Sequence, residues 1–189
     1  MMIHRTALSA VALALFSVAG CGGAAADSPG GAAPGGGLVG SPAPDFKAPT
    51  IANGKGKVAL HDLRGSVVLI DFWGTFCEPC KKSFPKLQDL YAQYADSGLK
   101  IVGISEDEEE DKDKIPAFAK EYGAKFKLAW DADKSVAREY KPETMPSSFV
   151  VDKAGVVRFE HAGYHDGEEA EIEKEIKELL AQKRDGSSE

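Results

Sequence analysis

Ser66-Val67-Val68-Leu69-Ile70-Asp71-Phe72 constrains this chain more than any other segment. It is a near-continuous apolar, β-branched run, the pattern of a strand buried on both faces, so layers must cover it on either side. Downstream, Leu87, Leu90, Tyr91 and Tyr94 recur at i, i+3, i+4 and i+7, which predicts an amphipathic helix ending at Gly98. Leu99 to Ser105 reads as a second strand. Ile115, Phe118, Ala119 and Tyr122 predict another helix, with Pro116 in its first turn and Gly123 past its end. Phe126 to Trp130 reads as a short strand and Asp133 to Tyr140 as a short helix. Ser148 to Asp152 and Val156 to Glu160 flank Lys153-Ala154-Gly155, a hairpin signature. Ile172, Ile176, Leu179 and Leu180 set one apolar stripe on a charged C-terminal helix. Phe46 to Ile51 and Lys57 to Leu60 add an N-terminal hairpin across Asn53-Gly54. The expected fold is an α/β sandwich, a central mixed β-sheet flanked by helices with an N-terminal β-hairpin extension.

The ends of the chain read differently. Arg5, with His4 beside it, precedes Ala7 to Val18, which is apolar except for Ser9 and Ser17. Twelve helical residues reach roughly 18 Å, short of a bilayer core of about 30 Å, so residues 1–20 read as a signal peptide. The run closes on Val18-Ala19-Gly20-Cys21. That sequence resembles the lipobox of bacterial lipoproteins, which implies that Cys21 is lipidated and becomes the mature N-terminus. A plain secretory signal with an incidental cysteine is the competing reading. Gly22 to Pro44 holds 8 Gly, 6 Ala and 4 Pro among 23 positions, too little apolar surface to fold by itself. Residues 21–40 are therefore expected to tether a domain spanning 41–184, with a disordered tail at 185–189.

Composition narrows the function. The net charge of −7 comes without any basic cluster, which excludes a nucleic-acid binder that must displace phosphate counterions. Three cysteines are too few for a disulfide-stapled scaffold or a Cys₄ zinc site. Two of them stand in Trp73-Gly74-Thr75-Phe76-Cys77-Glu78-Pro79-Cys80, between the buried strand and its helix. Cysteines at i and i+3 on a first helical turn close a small disulfide or open to a dithiol. Cys77, at the helix start, faces unpaired N–H groups and the positive dipole end, which stabilise a thiolate. Cys80, one turn in, is suited to attack a mixed disulfide formed by Cys77. A structural disulfide or half of a metal site are the competing readings. No second Cys pair follows, however, and the four histidines do not take zinc-ligand spacing.

The segment from about Ser41 to Gln182 resembles the thioredoxin superfamily, and within it the TlpA/ResA-type envelope lipoproteins. The resemblance rests on Ser41-Pro42-Ala43-Pro44-Asp45-Phe46, on the Phe72 to Cys80 stretch and on Thr144-Met145-Pro146. It implies a thioredoxin-like thiol-disulfide oxidoreductase whose redox-active Cys77–Cys80 disulfide needs no cofactor or metal. It implies that Pro146 is cis beside the cysteines and that the Met145 backbone pairs with substrate like an added strand. Ala162 and Gly163 match a third substrate-contact loop. Phe76 keeps a hydrophobic rim where the family usually has Trp, and Trp73 lies either at this rim or in the core. Asp71 matches the buried acid that passes protons to and from the inner cysteine. Ser83 stands where ResA-like members carry a Glu, which leaves that tuning role to Asp71.

Groups that stabilise a thiolate make an oxidant, and groups that oppose it make a reductant. Glu78 and Asp71 oppose it, as would the acidic run Glu106 to Asp113 if the fold brings it near the cysteines, and Pro79 completes the tuning dipeptide between the cysteines. Lys81, Lys82 and the helix dipole support it. The balance, with the family resemblance, predicts a reductant of envelope protein disulfides, as in cytochrome c or copper-site maturation. Its electron donor would be a membrane thiol-disulfide protein. The expected protein is an exported monomer, lipid-anchored on the outer face of the cytoplasmic membrane or the periplasmic side of an outer membrane. The alternatives are a thiol peroxidase, which needs a Thr three residues before its Cys where Thr75 is two before Cys77, and a copper chaperone recruiting His161 or His165. Glu106 to Asp113 carries seven acids and one Lys and reads as a solvated loop before a helix.

Overall fold

The computed structural model describes residues 37–183. The signal peptide, Cys21, most of the tether and the 185–189 tail lie outside these described residues. Seven strands form one sheet among them: β1 (Lys47–Ala52), β2 (Lys57–Ala59), β3 (Val67–Trp73), β4 (Leu99–Ser105), β5 (Lys127–Trp130), β6 (Ser147–Val151) and β7 (Val157–Ala162). The helices are α1 (Glu78–Tyr94), α2 (Ile115–Glu121), α3 (Ser135–Tyr140) and α4 (Glu168–Ala181). The sheet order is β2-β1-β5-β4-β3-β6-β7. β3 runs parallel to β4 and antiparallel to β6, so the sheet is mixed, as expected.

All seven residues of β3 are buried, and its alternation divides the core. Val67, Leu69 and Trp73 pack with α1, α2 and α4, in a layer that includes Cys77, Cys80, Phe84 and Ile176. Val68, Ile70 and Phe72 face the opposite layer of Phe46, Val58, Tyr140 and Phe149. Asp71 has the parity of Leu69 and Trp73, so its carboxyl is directed into the layer that holds the cysteines. β1 and β2 form the expected N-terminal hairpin, pairing Lys47 with Ala59 and Pro49 with Lys57.

Two expectations need correction. Residues 37–40, assigned to the tether, lie against the body. Gly40 donates its N–H to the Val157 carbonyl at 2.8 Å, and Leu38 packs against the core layer that contains Phe46 and Tyr140. The apolar Leu38 has a surface to bury that the glycines before it lack. The acidic run is also not uniformly solvated. Glu109–Lys114 forms a largely exposed 3-10 helix leading into α2, but Asp107 is buried.

Candidate active site

The strand β3 ends in Trp73, and the chain turns through Gly74-Thr75-Phe76 to enter α1. Cys77 donates its N–H to the Gly74 carbonyl at 3.0 Å and caps the helix. Its sulfur accepts the Cys80 N–H at 3.2 Å, occupying one of the donors that a helix start leaves free. Cys77 and Cys80 are joined by a disulfide with Cα atoms 5.3 Å apart. Cys77 keeps 6% of its surface exposed and Cys80 none, so Cys77 is the outer of the two and Cys80 the inner. Glu78 and Pro79 are exposed in the first turn, where Glu78 pairs with Lys81. Ser83 donates its hydroxyl to the Cys80 carbonyl at 3.2 Å and brings no carboxylate to the site.

Strand register brings the remaining elements to the same end of the sheet. Phe72 of β3 pairs with Ser147 of β6, and Ser147 pairs with Ala162 of β7. The next residues in that direction are therefore Trp73, Pro146 and Gly163. The Met145–Pro146 peptide is cis, as the family resemblance implied. Gly163 donates its N–H to the Pro146 carbonyl at 2.8 Å, which ties the third loop to the proline loop. Met145 is half-buried, and Ala162 is exposed beside a groove lined by Glu139, Lys141, Glu143 and Glu160. Phe76 is 63% exposed and forms the apolar rim.

Trp73 does not join that rim. It is fully buried between Phe84 and Phe118, with ring centroids at 4.5 and 4.7 Å, so the substrate contact expected of it gives way to a core role. Its indole fits because β4 carries Gly103 alongside. A Cβ there would come within 2.9 Å of Trp73 Nε1 and 2.7 Å of Leu128 Cδ2.

Asp71 is fully enclosed and forms part of a polar row that sequence reasoning missed. Asp71 pairs with Ser148 on β6, and Ser148 pairs with His161 on β7, so all three side chains share the face beneath α1 and α4. Ser148 donates its hydroxyl to Asp71 Oδ1 at 2.7 Å, while Oδ2 has no partner among the described residues. Burial pushes the Asp71 carboxyl up to about 7. The Ser148 hydrogen bond opposes that rise, and the nearby Glu168 carboxylate adds to it. Glu168, buried at the start of α4, is itself held above the usual carboxylate range by desolvation. His161, considered above as a copper ligand, instead meets Glu175 of α4 through Nε2 at 2.8 Å. Among the described residues, no group of three or more His, Cys, Asp or Glu is placed to hold a metal ion.

Asp107 is the other residue missed. Both its carboxylate oxygens accept the Thr75 N–H, at 3.0 and 3.1 Å, and the carboxylate also takes the hydroxyls of Thr75 and Ser105. The available signal was its position just past the end of the strand beside β3, where parallel α/β sheets place functional side chains.

Residues 39–160 match the model of the AhpC/TSA family. The chain is 38% identical over 119 residues to the thiol-disulfide oxidoreductase ResA of a Bacillus cereus strain, a match covering 63% of this chain and 66% of that protein. It is 36% identical over 133 residues to ResA of Bacillus thuringiensis subsp. konkukian, covering 70% and 75% respectively. Among solved structures it resembles a putative thiol:disulfide interchange protein DsbE from Chlorobium tepidum, with a TM-score of 0.68 and 34% identity over 74% of this chain and 95% of that one. The family match takes in both cysteines, the cis-proline and most of β7, and so the chain belongs to the AhpC/TSA family of thioredoxin-like proteins.

Proposed function

We propose that this protein is an extracytoplasmic thiol-disulfide oxidoreductase that reduces disulfides of other envelope proteins. The observation that carries this reading is the Cys77–Cys80 disulfide at the head of α1, with an outer cysteine that reaches the surface, a sealed inner one and a buried carboxyl on the same core layer. The likeness to oxidoreductases named ResA and DsbE supports it.

In the reduced protein the Cys77 thiolate attacks one sulfur of a substrate disulfide, forming a mixed disulfide and releasing the other substrate sulfur as a thiolate. Asp71, whose carboxyl titrates near neutrality, accepts the proton of the Cys80 thiol. The Cys80 thiolate then attacks the Cys77 sulfur, closes the disulfide and frees the reduced substrate. Two electrons from a membrane thiol-disulfide donor restore the dithiol. The substrate backbone lies along Met145, with Phe76 and the Ala162–Gly163 loop at its sides. Lipidation at Cys21 holds the domain at the membrane, and cysteines of cytochrome c haem sites or copper sites are the substrates.

A Cys80→Ser variant tests the reading, because it removes the residue that resolves the mixed disulfide. Expressed in its own cell envelope, it should accumulate covalent adducts through Cys77 that a thiol reductant releases. Absence of any such adduct would overturn the reading.

A further inference from the structure

The acidic run offers one residue that the oxidoreductase reading leaves unused. Asp107 is 1% exposed, yet its carboxylate collects the Thr75 N–H on both oxygens and two hydroxyls. The surrounding groups hold it in place. Its own N–H is donated to Ser105 Oγ at 3.1 Å, and its carbonyl accepts the Trp130 indole N–H at 2.8 Å. The charged groups around it lie elsewhere. The Lys134 ammonium binds the Glu106 carbonyl, approaches the Asp107 carbonyl at 3.3 Å and meets Glu108 at 3.3 Å. Lys112 stacks over the Trp130 ring at 4.4 Å, and Lys114 pairs with Asp111 at 2.6 Å. No ammonium group is paired with the Asp107 carboxylate among the described residues. The groups that bond it directly are therefore neutral donors, two of them on the residue that lies two positions before Cys77, while the Lys114 ammonium acts on it from beyond ion-pair distance.

We propose that Asp107 is a positioning residue that holds the Gly74–Phe76 turn and sets a buried negative charge behind Cys77, biasing the cysteine pair toward the disulfide and making the protein a stronger reductant. This rests on the oxidoreductase reading and extends it. A fixed anion near a forming thiolate raises its energy, and with it the energy of the reduced state. Neutral hydroxyls and an amide N–H orient the carboxylate without cancelling it. The cost of burying it is met by three donors, the Thr75 N–H shared between both oxygens and two hydroxyls, in hydrogen bonds of the charge-assisted kind. Of the other carboxyls assigned to the pair, Glu78 is exposed and bound to Lys81, and Asp71 is buried on β3.

The test is the equilibrium of the full protein with glutathione, in which two glutathione thiols are oxidised to one glutathione disulfide as the Cys77–Cys80 bond is reduced. The thiolate absorbance of Cys77 is followed against pH in parallel. Asp107→Asn removes the charge and keeps an acceptor for Thr75. A unit charge lost at short range through protein shifts such an equilibrium by about threefold or more, here toward the dithiol, with Cys77 ionising at lower pH. Thr75→Val leaves the charge with one donor fewer and should move both readings the opposite way. A purely structural role for Asp107 predicts a loosened turn in both variants and the same direction of change in each.

Unchanged constants in Asp107→Asn, or shifts of the same sign in the two variants, overturn the inference. If Asp107→Asn does not fold, the direction of change in Thr75→Val decides alone. Failure of the reduced, unmodified protein to reduce glutathione disulfide at all would overturn the oxidoreductase reading, and the inference with it.

Discussion

Ser148 donates its hydroxyl to Asp71 Oδ1 at 2.7 Å across the β3–β6 pair, and nothing among the described residues partners Oδ2. A single neutral donor cannot offset full burial, which is why the carboxyl titrates at about 7 instead of its ordinary 3.8. A carboxyl raised in the folded state contributes stability at pH below 3.8, and that contribution is lost as pH rises through 7. At about 1.4 kcal/mol for each pH unit between the two values, the loss approaches about 4 kcal/mol by pH 8 as an upper bound. Asp71→Asn escapes it. Denaturant unfolding of the oxidised variant should show a gain of about 2–4 kcal/mol at pH 8 that disappears by about pH 4.

On the proposed mechanism, the same substitution removes the base for Cys80. General base catalysis is worth about a hundredfold or more, so breakdown of the mixed disulfide in Asp71→Asn should slow by that order at pH 7. Stopped-flow mixing of the reduced variant with a disulfide peptide measures it. The initial attack by Cys77 should change far less. A more stable but slower protein is the expected pairing.

Gly103 makes room for the Trp73 indole, and a methyl group at that position meets Nε1 at 2.9 Å and Leu128 Cδ2 at 2.7 Å. Overpacking of this kind costs about 1–3 kcal/mol. Gly103→Ala should lose that much in equilibrium unfolding and alter the Trp73 fluorescence, while the cysteine pair still forms its disulfide.

Phe76 exposes 63% of its surface and has little core contact to lose. Phe76→Ala should change stability by less than about 0.5 kcal/mol. Its effect should appear in turnover of protein disulfides, slowed about fivefold to tenfold as an apolar anchor is removed, with reduction of small disulfides unchanged. Parallel assays on a folded protein substrate and a small aromatic disulfide separate the two.

Much of this arrangement was legible in the sequence because it rests on local signals. The β-branched run of β3, the helix-capping cysteine and the Met145-Pro146 turn each announce themselves within a few residues. Trp73 did not. Both faces of β3 are covered, so alternation gives no sign of which side meets solvent, and the decisive fact is a glycine on the neighbouring strand at position 103. The row Asp71–Ser148–His161 depends on pairings across three strands, and Ser148 carries no mark of its own in sequence. Asp107 was hidden by its neighbours. In a run of seven acids, one buried residue looks like the six around it, and only the approach of Thr75 from the adjacent loop distinguishes it. Leu38 likewise sits in a stretch whose glycines and alanines dominate any composition-based reading.

The measurement that bears most directly on a reducing role is the reduction potential of the Cys77/Cys80 pair in the purified protein. On the roles proposed above, the buried Asp71 and Asp107 carboxyls both oppose the Cys77 or Cys80 thiolate, and the pair should therefore lie near or below about −250 mV, toward thioredoxin. A value of roughly −120 to −180 mV, in the range of oxidants and isomerases, would contradict the direction of electron flow argued above.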